Sequence, residues 1–288
     1  MANVRQERFL AVESNAVEPA PRSPRTAIVR FVNSTGMTVL VYVGLVVAWQ
    51  IAVDLFQIPR YILPGPIDIL LRLFKDLPTI MGHTLVTLNE VLLGFALSVA
   101  ISVPLGMLIV YSPIFERLIY PLLVSTQAIP KVALAPIFVV WFGFGITSKV
   151  LIAFLVAFFP IVINTVVGMS RTPQELLYLM DSLGASSLQT FLKVRLPTAA
   201  PYIFGGFKVA VSLAVVGAVV GEFIAANNGL GYLQLVANSL IDMTLLFSTV
   251  LVLSLMGIIL FYAVSIVESF VVPKSQRKVQ QGPGTGGM

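Results

Sequence analysis

Hydrophobic runs of about 20 residues recur along the chain, the length one α-helix needs to cross a hydrocarbon layer roughly 30 Å thick. A backbone in hydrocarbon must satisfy its own N–H and C=O groups, so such runs fold as helices. The runs extend from about Met37 to Val53, Thr84 to Tyr111, Ile114 to Phe144, Lys149 to Met169, Tyr202 to Ala226 and Thr244 to Val272. The third is too long for one upright helix, and Pro121, Pro130 and Pro136 interrupt it, so a broken or kinked span is expected. Only 11% of residues are charged and 57% are hydrophobic, against about 25% charged in an ordinary soluble domain. The expected fold class is an all-α membrane protein of about six transmembrane helices, with the lipid bilayer as the partner of most of its surface.

Several chemistries are excluded at once. There is no Cys, which removes disulfides, iron–sulfur ligation and thiol nucleophiles, and the single His83 rules out a histidine metal cluster or a paired His/Glu catalytic set. No catalytic residue, cofactor or metal is expected. The net charge of +5 is spread over the ends of apolar runs and forms no dense patch, so nucleic acid is not an expected partner.

The same charges set topology, because loops on the cytoplasmic side carry excess Lys and Arg. Arg5, Arg8, Arg22, Arg25 and Arg30 precede the first span, and Lys274, Arg277 and Lys278 follow the last. Arg117, Arg171, Lys193, Arg195 and Lys208 join that set, leaving Arg60, Arg72, Lys75, Lys131 and Lys149 for the opposite face. The expected organisation is a cytoplasmic tail over 1–36, a transmembrane domain over 37–272, a cytoplasmic insert at about 171–200, and a cytoplasmic tail over 273–288. The protein is expected in the cell's inner membrane. No cleavable secretory pattern precedes the first span, which is read as an uncleaved anchor.

Between the spans, "DLFQIPRYILPGPIDILLRLFKDLPTIMGH" reads as a segment outside the bilayer core, partly an amphipathic interfacial helix. "NNGLGYLQLVANSLIDM" reads as a loop with a short interfacial or re-entrant helix. In the insert, Leu176, Leu177, Met180 and Leu183 make one helical stripe, Gly184 permits a sharp turn, and Leu188, Phe191 and Leu192 make a second stripe. Two short helices at an angle would form a rigid knob suited to a groove on a soluble partner.

The insert resembles the "EAA" coupling motif of binding-protein-dependent ABC importer permeases, a glycine, nine residues, an aliphatic, any residue, then Leu-Pro. Here Gly184 is followed by Val194, Arg195, Leu196 and Pro197. The family's acidic residue would fall near Tyr178 and its alanine near Met180, so Asp181 or Glu175 would supply the charge. The resemblance assigns the coupling loop to Glu175, Asp181, Ser182, Leu183, Gly184, Ala185, Ser186, Val194, Leu196 and Pro197. "YILPGPIDIL", "HTLVTLNEVLLGFALSVAISVPLGMLI", "AIPKVALAPIFVVWFGFG", "SKVLIAFLVAFFPIVINTVVG" and "GEFIAANNGLGYL" occur in the same order as in the branch serving nitrate, sulfonates, taurine, riboflavin and pyrimidine vitamin precursors. "PKVALAP" with "WFGFG" looks more like the vitamin-precursor permeases. The resemblance implies the type I ABC importer permease fold and a translocation subunit that is not itself an enzyme. It also implies two ATP-binding subunits, an extracytoplasmic solute-binding protein, and a second permease copy in a homodimer. In keeping with this, no lysine follows a glycine, so the chain has no phosphate-binding loop of its own.

Three charges inside apolar runs are candidate pathway or gate residues. Glu222, late in the fifth span beside Gly217, Ala218 and Gly221, is read either as a group near the outer gate bonded to the following "NNGLG" or as an interfacial carboxylate meeting water. Lys131 either lines a water-filled path or snorkels in a structural role, the latter being favoured. Glu90 is expected to face a subunit interface, and His83 to sit solvated outside its span. Trp141, Phe142, Phe144, Phe158 and Phe159 are read as packing or interfacial anchors, with stacking on a planar solute as the alternative. An ion-driven secondary transporter competes with the importer, but would be expected to show inverted repeats and midplane carboxylates.

Overall fold

The computed structural model describes residues 24–273, and every regular element among them is helical. Helix α1, Pro24–Leu55, belongs to the first of two compact units, which ends at Ile58. Its apolar stretch is Gly36–Leu55. The helix begins inside the stretch expected as a polar tail, twelve residues before position 36. Residues 1–23 and 274–288, the bulk of both expected tails, lie outside the described residues.

The second unit, from Pro59 onward, carries the remaining elements. They are α2 (Pro66–Lys75), α3 (Leu77–Tyr111), α4 (Pro113–Thr126), a 3-10 turn (Lys131–Leu134), α5 (Ala135–Phe142) and α6 (Ile146–Ser170). After them come α7 (Gln174–Ser182), α8 (Ser187–Thr190), a π turn (Phe191–Arg195), α9 (Leu196–Ala225), α10 (Leu230–Ser239) and α11 (Met243–Val271). Among the described residues, five helices are long and apolar enough to cross a membrane. The pair formed by α4 and the Lys131–Phe142 segment, bent by 87°, also passes that test when taken together, which makes six if the pair is one broken span.

Local chemistry sets the boundaries. Proline occupies the first turn of α2, α3, α4, α5 and α9, where its missing N–H would have been unpaired anyway. For α3 this shifts the start to Leu77, seven residues before the expected Thr84, because Pro78 opens the helix instead of breaking it. The expected interfacial helix is α2, which buries Ile69 and exposes Ile67, Leu70, Leu71 and Phe74. Its Arg72 bonds Asp76 and Asp242, each at 2.9 Å.

The core is a sandwich of α3, α6 and α9 held at close range by small residues. Ala153 of α6 sits between two glycines. A Cβ on Gly94 of α3 would lie 2.6 Å from the Ala153 Cβ, and one on Gly217 of α9 would lie 2.7 Å from its Cα. Below this level, Gly106 meets Thr165 and Gly206 meets Asn164 at similarly short range. Ser102 Oγ donates across the α3–α6 seam to the Phe158 carbonyl at 3.0 Å. Close backbone approach replaces the hydrophobic drive that lipid cannot provide. Val91, Ala157, Ile161, Ala210 and Ala214 fill the space around it.

The expected outcome for Gly217→Val is a loss of about 2 kcal/mol or more, because the new Cβ meets backbone that cannot move aside. A fluorescence melting curve of the detergent-solubilised protein should shift down by several degrees, while Gly257→Ala, with open space around its Cβ position, should not.

Candidate functional site

Two constellations stand at opposite ends of the α3–α6–α9 core. At one end the insert folds as two short helices around a glycine. Helix α7 ends in a paired backbone cap: the Gly184 N–H donates to the Asp181 carbonyl at 2.9 Å and the Ala185 N–H to the Met180 carbonyl at 3.0 Å. Gly184 sits at φ +67°, a conformation a β-branched residue resists. Two residues later Ser186 opens α8 with a reciprocal capping box. Its Oγ accepts from the Gln189 N–H at 3.3 Å, and its N–H donates to Gln189 Oε1 at 2.9 Å.

The π turn then carries the chain into α9, and the Leu196 N–H reaches back to the Phe191 carbonyl. Pro197 has no N–H to give and its ring crowds the preceding turn, so the widened turn admits it without breaking the path into α9. Val194, Leu196 and Pro197 thus belong to this junction, while Ser182, Leu183, Gly184, Ala185 and Ser186 form the bend. Tyr178, Leu179, Leu183 and Leu188 are exposed, at 69%, 54%, 71% and 65%. Glu175 and Asp181 are also exposed. Exposed apolar side chains grouped in this way mark a contact surface, for protein or for membrane.

The other constellation lies late in α9, about 39 Å along that helix from its start at the insert. Glu222 is fully buried (0% exposed), which corrects the reading of an interfacial carboxylate meeting water. Its Oε1 accepts from Thr87 Oγ1 at 2.6 Å, and its Oε2 accepts from the Gly231 N–H at 2.5 Å. The Leu230 N–H donates to Thr87 Oγ1 at 2.8 Å, and the Gly229 N–H donates to His83 Nδ1 at 3.0 Å. Three successive backbone donors at the start of α10 are therefore capped by side chains from α3 and α9. These are the groups a helix leaves unpaired at its N-terminus, where negative charge is favoured. Gly229, at φ +113°, makes the turn, and a Cβ on Gly231 would press on Glu222 and on the Val219 carbonyl.

Beside this clasp, Lys149 Nζ donates to Glu90 Oε1 at 2.5 Å, and both side chains are buried. Glu90 is 1% exposed within the single chain, so the expectation that it faces a subunit interface is corrected. Its position on the α3 face that packs on α6 decides this. His83 likewise lies inside α3 and accepts a hydrogen bond instead of standing solvated outside the span. Lys208, expected among the loop charges, lies well inside α9 and pairs with Glu268 of α11.

Sequence reasoning placed Glu222 on the "NNGLG" segment that contains Gly231, but missed Thr87 and Lys149 as members of the cluster. A lysine at the very start of an apolar run was a signal for Lys149, whereas nothing local marked Thr87. Lys131 stands apart from both constellations, with its Nζ 4.1 Å from the Phe159 ring centroid. The aromatics divide: Phe158 and Phe159 are buried and pack edge-to-face, while Trp141 and Phe144 are exposed at 71% and 77%.

Comparison with known proteins gives this arrangement a family. Residues 98–277 match the model of the binding-protein-dependent transport system inner membrane component. The chain is 38% identical over 235 residues to the formylaminopyrimidine transport permease protein ThiX of Halalkalibacterium halodurans, covering 81% of this chain and 94% of the relative. It is 40% identical over 230 residues to the riboflavin transport system permease protein RibX of Chloroflexus aurantiacus, covering 79% and 86%. It is 30% identical over 216 residues to the putative aliphatic sulfonates transport permease protein SsuC of Bacillus subtilis, covering 74% and 78%. Among solved structures, an inward-facing MetNI methionine ABC transporter chain superposes with a TM-score of 0.60 at 19% identity, over 69% of this chain and 99% of that one. That likeness shows the type I permease fold, and the family match shows the rest: this chain belongs to the binding-protein-dependent transport system inner membrane components and is the permease subunit of an ABC importer.

Proposed function

We propose that this permease moves a small planar nitrogen heterocycle, a vitamin or vitamin precursor, into the cell. The support is the identity of 38% and 40% to permeases named for formylaminopyrimidine and riboflavin, against 30% to one named for sulfonates. In this reading an extracytoplasmic solute-binding protein delivers the solute, a second copy of the chain completes the path, and two ATP-binding subunits hydrolyse ATP. Both tails and the 171–200 insert lie in the cytoplasm of a cell whose inner membrane holds the complex, with 37–272 as the transmembrane domain.

The observation that carries the docking of the ATP-binding subunits is the knob built on Gly184, whose capped bend holds Leu183 and Leu188 in solvent. A rigid apolar projection of this kind fits a groove on the ATPase and transmits its closure along α9, the helix that follows directly from the π turn. Gly184→Val forces a β-branched residue into a left-handed turn, so the knob should deform while the spans stay intact. Affinity purification from detergent-solubilised membranes should recover the ATPase with the native chain and lose it with Gly184→Val. Recovery of equal amounts with both chains would remove the insert from the docking surface. The solute is named by the ligand of the binding protein that co-purifies.

At the outer end, the clasp of Glu222, Thr87 and His83 on α10 acts as a gate element that must form and release during transport. Glu222→Gln keeps the shape and removes the charge that strengthens the Gly231 bond, so uptake should fall about tenfold with the complex still assembled. Unchanged uptake and unchanged solute-stimulated ATPase activity would show that Glu222 only packs.

A further inference from the structure

The helical ladder of the third crossing breaks at depth. Phe159 is thirteen residues past the start of α6, about 20 Å along a helix of about 37 Å, so its ring lies near the middle of the membrane. Lys131 Nζ sits 4.1 Å from that ring and therefore shares its level. Just before it, Gln127, Ala128, Ile129 and Pro130 lie outside any helix and are exposed on the single chain. The Gln127, Ala128 and Ile129 N–H groups turn back to the Val124, Ser125 and Thr126 carbonyls at 3.1, 3.2 and 3.2 Å, but among the described residues their own carbonyls accept no backbone hydrogen bond, and hydrocarbon offers such carbonyls no partner. Either protein or water covers them.

The charge separates the two. Among the described residues, Lys149 and Lys208 each pair with a buried or nearly buried carboxylate, as lysines that belong to the packing do. Lys131 forms no ion pair among them. It keeps only the face of Phe159, which offsets part of the cost of a cation at this depth. Partly exposed, and preceded by four exposed residues outside any helix, its ammonium is placed as a group that meets water and a passing solute.

We infer that Lys131 lines the aqueous solute path at its midpoint and sets the charge preference of that path. A solute presenting an anionic group, or an edge of carbonyl oxygens and ring nitrogens, is favoured there, and a cationic one is disfavoured. The inference rests on the importer reading, which requires such a path, but not on the identity of the solute.

The chain has no Cys, so Val132→Cys, 47% exposed beside Lys131, supplies a single thiol. In membranes holding the assembled complex, its rate of modification is measured with negatively charged 2-sulfonatoethyl methanethiosulfonate and positively charged 2-(trimethylammonium)ethyl methanethiosulfonate. Each rate is divided by the same reagent's rate with a free thiol in solution. The thiolate displaces a sulfinate and forms a mixed disulfide, so reaction reports water at the site. Both reagents should react, the anionic one about tenfold faster. Lys131→Met should bring the ratio to about one, and Lys131→Arg should keep it. Ala157→Cys, fully buried in the core, should stay unreactive. Absence of reaction at Val132→Cys, both at rest and with the ATPase trapped by vanadate, would mean that protein or lipid covers this face and would overturn the inference. A reaction with no charge preference, or a preference that survives Lys131→Met, would overturn it equally. Either failure leaves co-purification of the ATPase untouched, so the importer reading is judged separately.

Discussion

Close approach of α3, α6 and α9 at Ala153 is the constraint on which the rest of the structure depends. In lipid there is no hydrophobic gain from bringing two apolar helices together, so the helices must gain from contact itself. Gly94 and Gly217 let two backbones close on Ala153 from either side. The same seam continues outward, where Gly221 rests 3.1 Å from the Lys149 Cα by its would-be Cβ, and that contact brings the next residue, Glu222, level with the Lys149–Glu90 pair. A larger residue at any of these glycines would separate the elements whose side chains make the clasp.

The buried charges follow from that packing. A carboxylate at 0% exposure is costly unless its oxygens are occupied, and here both are: one by the Thr87 hydroxyl of α3, the other by the Gly231 N–H of α10. The arrangement satisfies two needs together. It gives Glu222 its partners, and it caps the short helix α10, which as ten residues set on a glycine turn has no other polar side chain to close its start. At the other end the insert is closed by its own short-range bonds, so its shape depends on local sequence and little on the bundle.

That difference explains what could be read in advance. The knob was legible because every determinant lies between Leu176 and Pro197: two apolar stripes, a glycine between them, and a Leu-Pro at the exit. The long apolar helices were legible because apolar length is a property of the sequence alone, and errors arose where proline had two meanings, as at Pro78, which opens α3. The clasp was only half legible. Glu222 stood out as a charge in an apolar run, but Thr87 is 135 residues away and His83 looked like an ordinary interfacial residue.

By itself the sequence determined the membrane-spanning helices, the break in the third crossing and the turn at Gly184, since each follows from hydrocarbon thickness or backbone sterics acting on neighbours in the chain. Tertiary structure alone decided which charges were partners. It put Glu90 on Lys149, Lys208 on Glu268 and Glu222 on the start of α10, and it left Lys131 with a ring and no ion pair among the described residues. The physical reason is that a charge in an apolar helix announces only that it needs company, and which company it finds depends on the register at which small residues let the helices meet.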